Sequence, residues 1–294
     1  MVDLYLGGLI IALMAAGLFL LTRLGASHLC GWQRNLFAAA LVAGLLYYIG
    51  EWWYDVRLVR WLPYSNLIVV GNWLPLAAAM LAAFVWQETT LPIAKKWFMS
   101  SLLAGIAGYS LVSPMLGQAP RCENQWDRMG SCLQTTKQTC SPACAATMLK
   151  AHGIPATEQE MAELCLTRGG TSWQGLYRGL KLKTAGTKWD VAVVQCRSAE
   201  LSLLGKQPII LSVGLDRGTA IDSEFTREFG WIPGVNHSVV MHGFTSSKCA
   251  LISDPTQALC REEWDMNTLD TIWRGYAIRL VKRKGETHLA SDNK

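Results

Sequence analysis

The sequence predicts two structural classes in one chain: an α-helical membrane domain of four spans, followed by an α+β domain with an antiparallel sheet. The 294-residue chain is 51% hydrophobic and 17% charged, yet nearly all of its long uncharged runs lie before residue 117. Later segments mix charges, turns and short apolar stretches, first with helical and then with strand periodicity. We therefore expect a membrane domain over residues 1–117, a linker over 118–132 and a second domain over 133–294.

Four stretches in the first part are long enough to cross a bilayer, which needs about 20 mainly apolar residues. Three of them carry no charged residue. The other reaches helix length only by including Glu51, which lies beside an aromatic cluster typical of a membrane interface. Buried core helices are the alternative, and these lengths disfavour it. The predicted spans are Leu4–Leu21, Leu36–Tyr54, Leu67–Trp86 and Trp97–Leu116.

Charged residues near the span ends bear on processing and orientation. The residues before Leu4 include no Lys or Arg, so the first span is expected to be retained rather than removed as a signal peptide. Basic residues near span ends favour the cytoplasmic side. The first and third loops carry Arg23, Arg34, Lys95 and Lys96, and the opposite side carries Arg57, Arg60, Arg121 and Arg128. Because the latter are partly offset by nearby acids, the balance slightly favours an extracytoplasmic second domain.

Eight of the nine cysteines follow the last span. Cys122 with Cys132, and Cys249 with Cys260, are close enough in sequence to be bridged, and disulfides would indicate an oxidising compartment. Buried free thiols explain the pattern equally well. No C-x-x-C pair or spaced histidine set suggests a metal site, and we expect no cofactor. The net charge of +5 is scattered and predicts no nucleic-acid partner.

The second domain begins with helices and continues with strands. Pro142 in a first helical turn and Gly153 past the end predict a helix that begins near Ser141. Thr157 with Glu160 has the capping-box pattern of a second helix. A third helical segment follows over Trp173–Lys183, and then five short runs that predict strands: WDVAVVQC, QPIILSVG, NHSVVMHGF, CALISDP and YAIRLV.

A thiol nucleophile is the first chemical feature of this domain. Free cysteine has a pKa of about 8.5 and is mostly protonated at neutral pH, whereas the amides and dipole of a helix N-terminus favour the thiolate. Cys140 lies just before the helix start at Pro142, while Cys144 lies one turn inside the helix. Gln134 can donate to an oxyanion together with the Cys140 N–H. Gln138 is the alternative donor, but it is too close to the thiol along the chain.

The base that such a thiol requires comes from elsewhere in the fold. His237 opens a predicted strand whose alternation places it and His242 on opposite faces. We expect His237 to face the thiol and His242 to be an ordinary sheet histidine. The next strand ends in Asp254, and pairing through the turn at 245–247 would bring this carboxylate near His237, where it orients the imidazole. Taken alone, Asp-Pro after a strand is usually only a turn.

Together these residues resemble the papain-like cysteine peptidases that cut double-glycine leader peptides from bacteriocins and similar exported peptides. That family has Gln, a polar turn, Cys opening an Ala-rich helix, a Gly-Ser-type turn, a strand beginning with His and a strand ending in Asp-Pro. The matching segments, over residues 133–283, are Gln134, Cys140 with PACAATML, GGTSWQGL, His237 in NHSVVMHGF and Asp254 in ISDP. The resemblance implies a papain-like fold and hydrolysis of a peptide bond through a thioester. Cys140 is then the nucleophile and His237 the base, while Asp254 orients the base and Gln134 steadies the oxyanion.

Two departures from the family pattern limit what carries over. The family usually has Asp-Cys-Gly at the nucleophile, whereas this chain has Thr139, Cys140 and Ser141, which adds a side chain beside the thiol. Leader-cutting members are commonly fused to an ATP-binding domain, and no GxxxxGK[ST] loop occurs here. Peptide hydrolysis therefore carries over better than the double-glycine substrate.

The resemblance implies a multi-pass protein of the bacterial inner membrane that acts on a peptide or protein substrate. Two other hypotheses stay open. The domain could bind a peptide without cutting it as a module of a membrane complex, although Cys140, His237 and Asp254 are all present. Alternatively, the four spans could act on a partner membrane protein, with the peptidase as a regulatory attachment.

Overall fold

The computed structural model describes residues 1–205, 207–217, 225–226, 230–256 and 261–283. The chain divides into two compact units, Met1–Leu116 and Gly117–Lys294, and each is described by itself.

The first unit is built from helices, several of them long and apolar. Its helices are α1 (Val2–Ala26), α2 (Gly31–Tyr47), α3 (Leu67–Val70), α4 (Leu74–Gln87) and α5 (Ile93–Val112). Four helical runs in this unit are long and apolar enough to cross a membrane: Val2–Ala26, Gly31–Trp52, Leu67–Gln87 and Ile93–Met115. Large apolar side chains such as Leu13 and Phe37 are exposed on them, as expected for helices that face lipid. The four predicted spans are present as helices.

Two details of these helices differ from the predicted spans. The span expected over Leu67–Trp86 is interrupted between α3 and α4, because Pro75 in the first turn of α4 has no N–H for a continuous helix. In addition, α2 passes into a π-helical turn over Tyr48–Trp52. The Tyr48 hydroxyl in this turn donates to the carbonyl of Gly71 at 2.7 Å. It replaces the helical N–H that Pro75, four residues later, cannot supply to this carbonyl.

The second unit begins its regular structure with three helices. They are α6 (Cys140–Ala151), α7 (Glu158–Leu164) and α8 (Trp173–Thr184), at the positions that the sequence predicts. Thr157 caps α7 by accepting from the Glu160 N–H at 3.1 Å. Gly175 allows α8 to approach the preceding turn, because a Cβ at this position would lie 2.2 Å from the carbonyl oxygen of Cys165.

Residues 118–132, predicted to be a linker, lie against these helices. The Cys132 N–H donates to Thr147 Oγ1 in α6 at 2.8 Å. The Cys122 N–H donates to Gln159 Oε1 in α7, also at 2.8 Å. Buried backbone donors need such partners, so this segment packs as part of the second unit instead of spanning open solvent.

A six-stranded antiparallel sheet completes the second unit. Its strands are β1 (Trp189–Gln195), β2 (Ile209–Gly214), β3 (Asn236–Phe244), β4 (Ala250–Ser253), β5 (Glu262–Trp264) and β6 (Trp273–Lys282). Their order across the sheet is β1-β6-β2-β3-β4-β5. The last strand in the sequence therefore lies between β1 and β2. This arrangement confirms the predicted α+β domain with an antiparallel sheet.

The core lies on both faces of the sheet. α6 packs against β2 and β3, and α8 packs against β1. The other face is covered by α9 (Met266–Ile272), a 3-10 turn at Ser198–Leu204 and buried aromatic side chains. β5 and α9 were not predicted, while the five predicted strands are all present. The tail after residue 283 and Cys260 lie outside the described residues.

Candidate active site

The thiol of Cys140 lies at the N-terminus of α6. Thr139, the N-cap residue, makes no side-chain capping bond to the helix; its hydroxyl oxygen accepts from the Thr136 N–H at 3.0 Å instead. The first amides of α6 are therefore not capped by this side chain, and a helix N-terminus with uncapped amides favours an anion. Cys140 is half-buried, as a reactive thiol must be to meet both its base and a substrate.

His237 is brought to this thiol by the second residue of β3. The register of β2 and β3 pairs it with buried Val213, so its backbone is held in the sheet. One ring nitrogen, Nε2, lies 2.8 Å from Asp254 Oδ1. The Cys140 thiol lies near enough to the ring for His237 to lower the pKa of the thiol, and for the thiol to raise the pKa of the ring. The imidazole therefore bridges the thiol and the carboxylate, and the predicted turn between β3 and β4 does bring Asp254 to His237.

Asp254 is held in one orientation by donors around both oxygens. Its side chain is fully buried. Oδ1 accepts from the Thr256 N–H at 2.9 Å and from the Thr256 hydroxyl at 2.7 Å. Oδ2 accepts from the Trp231 indole N–H at 2.9 Å. The Trp231 ring also packs against His237, with ring centroids 4.8 Å apart, so it covers the carboxylate–imidazole bond.

This geometry perturbs all three ionisable groups. Burial raises the pKa of Cys140, but the hydrogen bond and charge of His237 outweigh burial, and the pKa lies below its ordinary value. Burial likewise lowers the pKa of His237, but Asp254 and Cys140 together raise it to about 10. Burial raises the pKa of Asp254, and the charge and hydrogen bond of His237 bring it below its usual range. All three shifts act in the direction of a thiolate–imidazolium pair beside an ionised carboxylate.

The backbone of Gln134 is hydrogen-bonded close to Asp254. Its N–H donates to the carbonyl of Pro255, directly after Asp254, at 2.8 Å. Its side-chain Oε1 is buried and has no hydrogen-bond partner among the described residues. Gln138 is exposed by comparison. Between the two candidates, the backbone tie to Pro255 favours Gln134.

The second unit matches a known protein family. The model of the Peptidase_C39 like family matches residues 120–278. This match covers more than half of the chain. The chain belongs to the Peptidase_C39 like family. A comparison with curated protein sequences gives no match.

Solved structures of peptidase domains resemble this Peptidase_C39 like chain. The peptidase domain of Streptococcus ComA, a bi-functional ABC transporter involved in a quorum-sensing pathway, is 19% identical with a TM-score of 0.41, and the match covers 51% of this chain and 96% of that one. A double glycine motif protease from an AMS/PCAT transporter, solved in complex with the leader peptide, is 18% identical with a TM-score of 0.39, and the match covers 51% of this chain and 89% of that one. The peptidase domain of Streptococcus mutans ComA is 19% identical with a TM-score of 0.34, and the match covers 51% of this chain and 96% of that one.

Ser141 occupies the position where the family pattern has glycine, and its side chain is shielded from solvent. Its side chain is buried, and its hydroxyl lies 2.8 Å from the hydroxyl of Ser238, next to His237 on β3. The Cys144 thiol donates to the Ser238 carbonyl at 3.2 Å. Burial and nearby negative charges raise the pKa of Cys144 well above its ordinary value. Cys144 is therefore a structural thiol, as its position inside α6 predicts.

His242 takes the ordinary role predicted for it. Its Nε2 lies 2.9 Å from the hydroxyl of Ser253. Burial and the positive charge of Arg261 lower its pKa to about 4, so it stays neutral near pH 7. It does not share the hydrogen bonds of His237.

Sequence reasoning missed Trp231 and Thr256, which hold Asp254. Thr256 follows Asp-Pro closely, and a hydroxyl two residues beyond an aspartate is a recognisable turn signal. Trp231 lies in a segment before β3, and its contact with Asp254 depends on the tertiary fold.

Two disulfide bridges, Cys122–Cys132 and Cys249–Cys260, are possible from the sequence. The cysteines in the described part of the chain are free thiols, including Cys122 and Cys132. Cys249 is also a free thiol, and Cys260, the other half of the second possible bridge, lies outside the described residues. Within the described ranges, no group of three or more His, Cys, Asp or Glu side chains could hold a metal ion.

Proposed function

We propose that this chain is a membrane-bound cysteine peptidase that hydrolyses a peptide bond in a peptide or protein substrate through a thioester intermediate. The observation that carries the proposal is that His237, hydrogen-bonded to buried Asp254 at 2.8 Å, also lies near enough to Cys140 to lower the pKa of its thiol. Membership of the Peptidase_C39 like family supports the same reaction class. No cofactor is required for it.

The reaction divides into acylation and deacylation. The Cys140 thiolate attacks the substrate carbonyl, and the oxyanion of the tetrahedral intermediate is stabilised by the Cys140 N–H and the Gln134 side-chain amide. The His237 imidazolium then gives its proton to the leaving amine, which leaves a thioester on Cys140. In the second step neutral His237 takes a proton from water, the resulting hydroxide attacks the thioester, and the acid product and the thiolate are released. Asp254 keeps the ring oriented throughout.

The substrate class that we favour is the leader segment of an exported peptide. The support is the family, together with the similarity to a double glycine motif protease solved with its leader peptide. The four apolar helices are compatible with a membrane protein. We further propose that the peptidase unit faces the extracytoplasmic side, because basic residues slightly favour cytoplasmic first and third loops.

Selective alkylation tests the assignment of the nucleophile. The purified full chain in detergent is treated briefly with iodoacetamide near pH 6, and the label is mapped by peptide mass spectrometry. We expect Cys140 to react first, because its thiolate persists where ordinary thiols are protonated. A Cys144→Ala variant, altered one helical turn away, provides the matched control and should label like the wild type.

Hydrolysis is tested with synthetic peptides that carry a double-glycine leader. Wild type is expected to cleave them and Cys140→Ala to be inactive, with a loss of at least about a thousandfold. Preferential labelling of another cysteine, or retained cleavage in Cys140→Ala, would contradict the peptidase mechanism. Tight binding of the leader by wild type without any cleavage would favour the alternative of a non-cleaving peptide-binding module.

A further inference from the structure

An apolar groove runs along the first unit between α1 and α5. α4 packs against both of these helices and forms the third wall of the groove, whose volume is about 670 Å³. Along α1 the lining residues run from Ala12 to Arg23, which is roughly 16 Å at the rise of an α-helix. The hydrocarbon of one leaflet is about 15 Å deep. The groove is therefore long enough for one acyl chain of one leaflet.

Small side chains keep this groove open. Ala12, Ala15 and Ala16 line it from α1, and Ala104 and Ala107 line it from α5. Small residues on membrane helices usually allow two helices to approach closely, but here a space remains between the two small faces. Ala12, Ala16 and Ala104 are exposed although they line the groove, so the groove opens towards the surroundings of the helices. For helices that cross a membrane, those surroundings are hydrocarbon.

Two tryptophans and two cations lie at one end of the groove. The rings of Trp86 and Trp97 meet edge to face, with centroids 5.2 Å apart. The guanidinium carbon of Arg23 lies 6.0 Å from the centroid of the Trp86 ring, and the Lys96 ammonium donates to the Trp86 carbonyl at 3.2 Å. Tryptophan rings in membrane proteins prefer the level of the lipid headgroups. Both cations therefore lie where a headgroup is expected.

The charges at this end of the groove favour an anion. Neither Arg23 nor Lys96 forms an ion pair with a carboxylate among the described residues. Glu88, in the loop beside them, lies 3.5 Å from Arg34 and accepts from the Thr90 hydroxyl at 2.9 Å. A partner helix would fill the apolar space but bring no anion to the two cations. An anionic phospholipid supplies an acyl chain and a negative headgroup together.

We propose that the groove between α1 and α5 binds an acyl chain of an anionic phospholipid, whose phosphate is held by Arg23 and Lys96. The lipid belongs to the leaflet of the first and third loops, which the basic residues predict to be cytoplasmic. This inference rests on the proposed function, because it requires the helices of the first unit to cross a membrane. It assigns this unit a ligand of its own, apart from the peptide substrate.

The headgroup contacts are tested by native mass spectrometry of the full chain, with phosphatidylglycerol and phosphatidylcholine of identical acyl chains. We expect wild type to bind phosphatidylglycerol at least about tenfold more tightly, because choline offsets the phosphate charge that the two cations attract. Arg23→Gln with Lys96→Gln should reduce this preference to within about twofold. Arg57→Gln with Arg60→Gln removes the same charge at the opposite ends of the spans and should keep the preference.

The chain contacts are tested by filling the groove. Ala16→Leu with Ala104→Leu places larger side chains in the space of the acyl chain, so both lipids should bind about tenfold more weakly. Ala39→Leu is the matched control, because Ala39 is exposed on α2 and does not line the groove. Inorganic phosphate at the concentration of the lipid should not displace phosphatidylglycerol, since it has no chain. Arg23→Lys with Lys96→Arg keeps both charges and should retain the preference, which separates loss of charge from damage to the helices.

Equal binding of the two lipids by wild type, or the same loss of preference in Arg57→Gln with Arg60→Gln, would show only a general attraction between charges. Unchanged binding in Ala16→Leu with Ala104→Leu would place the chain elsewhere, and a wild-type dimer without lipid would assign the groove to a second copy. Each result overturns the lipid site, whereas alkylation of Cys140 tests the peptidase separately. A chain that stays monomeric in solution without detergent would contradict the membrane-bound function, and the lipid site with it.

Discussion

The charge of His237 depends on two groups at opposite sides of one ring. Asp254 is ionised and buried on one side, and the Cys140 thiolate lies on the other. Each negative charge favours the imidazolium, which explains why the pKa of His237 rises to about 10 although burial opposes it. The imidazolium in turn lowers the pKa of Cys140, so the loss of one of the three groups shifts the pKa values of the other two.

Asp254→Asn tests this coupling with little change of shape. Without the carboxylate charge, the pKa of His237 falls and that of Cys140 rises, so the thiolate is lost as pH decreases towards neutral. The alkylation rate of Cys140 near pH 6 should decrease by about tenfold or more, and the decrease should shrink as pH rises. Asp190→Asn, which breaks the Lys181–Asp190 ion pair in the same unit, should leave the profile unchanged. Equal pH profiles for Asp254→Asn and wild type would disprove the coupling.

Trp231→Phe removes one donor from Asp254 while keeping an aromatic ring over His237. The indole N–H holds the ionised Asp254 carboxylate in place beside His237, and a hydrogen bond to a charged group contributes more free energy than a neutral one. Its loss should let the carboxylate move from His237, so we expect alkylation of Cys140 near pH 6 to slow by about tenfold. Trp264→Phe is the control. Trp264 belongs to the same aromatic cluster, but its indole donates to Glu262, so the rate should stay within about twofold. Similar rates in both variants would mean that the indole bond has no effect on the nucleophile.

Sequence reasoning identified the residues whose chemistry is unusual for their position. Cys140 was predicted from the helix start behind it, and His237 was preferred to His242 by strand alternation. Trp231 could not be identified in this way, because an indole donor has no sequence signature until the fold places a carboxylate beside it. The orientation of Ser141 was also unpredictable, since a serine near a thiol can face either the cleft or the neighbouring strand.

At the scale of elements, the turn that carries Gln134 is attached to α7 by one buried carboxylate. Glu158 is completely buried. Its Oε1 accepts from the Thr135 N–H at 2.7 Å, and its Oε2 accepts from the Thr135 hydroxyl at 2.6 Å. A charge in this position is tolerated only because it is hydrogen-bonded at both oxygens. The position of Gln134 beside the site therefore depends on a residue in a different helix.

Glu158→Ala is expected to free this turn. Two buried donors on Thr135 lose their partner, which costs roughly 2–4 kcal/mol locally. Amide hydrogen exchange in residues 133–139 should accelerate by at least about tenfold, and cleavage should decline because Gln134 is no longer held. Glu160→Ala, in the same helix, removes a partly exposed ion pair with Lys183 and should change neither the exchange rate nor the cleavage appreciably. Unchanged exchange in Glu158→Ala would show that other contacts hold the turn.

The elements that the sequence predicted best are those with clear start signals or long periodicity. Thr157 and Pro142 each indicated the start of a helix to within one residue of its position in the structure. Five β-branched runs indicated five strands. β5 was missed because Glu262–Trp264 is three residues long and contains two charges, so its pairing with β4 decides its conformation. α9 was missed because seven residues carry little periodic signal, although Asp265 caps the helix by accepting from the Thr268 N–H at 2.7 Å.

At the scale of the whole molecule, orientation is the property with the greatest consequence for substrate choice. The side of the membrane on which the peptidase unit lies determines whether it meets peptides before or after export. Cys30 follows α1 in the first loop and is an exposed free thiol, the only cysteine of the first unit. It therefore reports on the side of this loop without any engineered label.

We predict that Cys30 is cytoplasmic. In spheroplasts, a membrane-impermeant maleimide should leave Cys30 unlabelled until the membrane is permeabilised, whereas Cys249 in the second unit should react beforehand. Peptide mass spectrometry distinguishes the two sites, and a Cys30→Ser variant verifies the assignment. The reverse pattern would place the peptidase unit in the cytoplasm. Labelling of both thiols in intact spheroplasts would contradict a membrane between them.

The position of β6 in the sheet has a consequence for the newly synthesised chain. Because this C-terminal strand lies between β1 and β2, a ribosome must translate almost the whole second unit before the sheet can close. Cys140 leaves the ribosome first, and His237 and Asp254 follow about a hundred residues later. The proposed catalytic residues can therefore come together only after β3 and β4 have been translated.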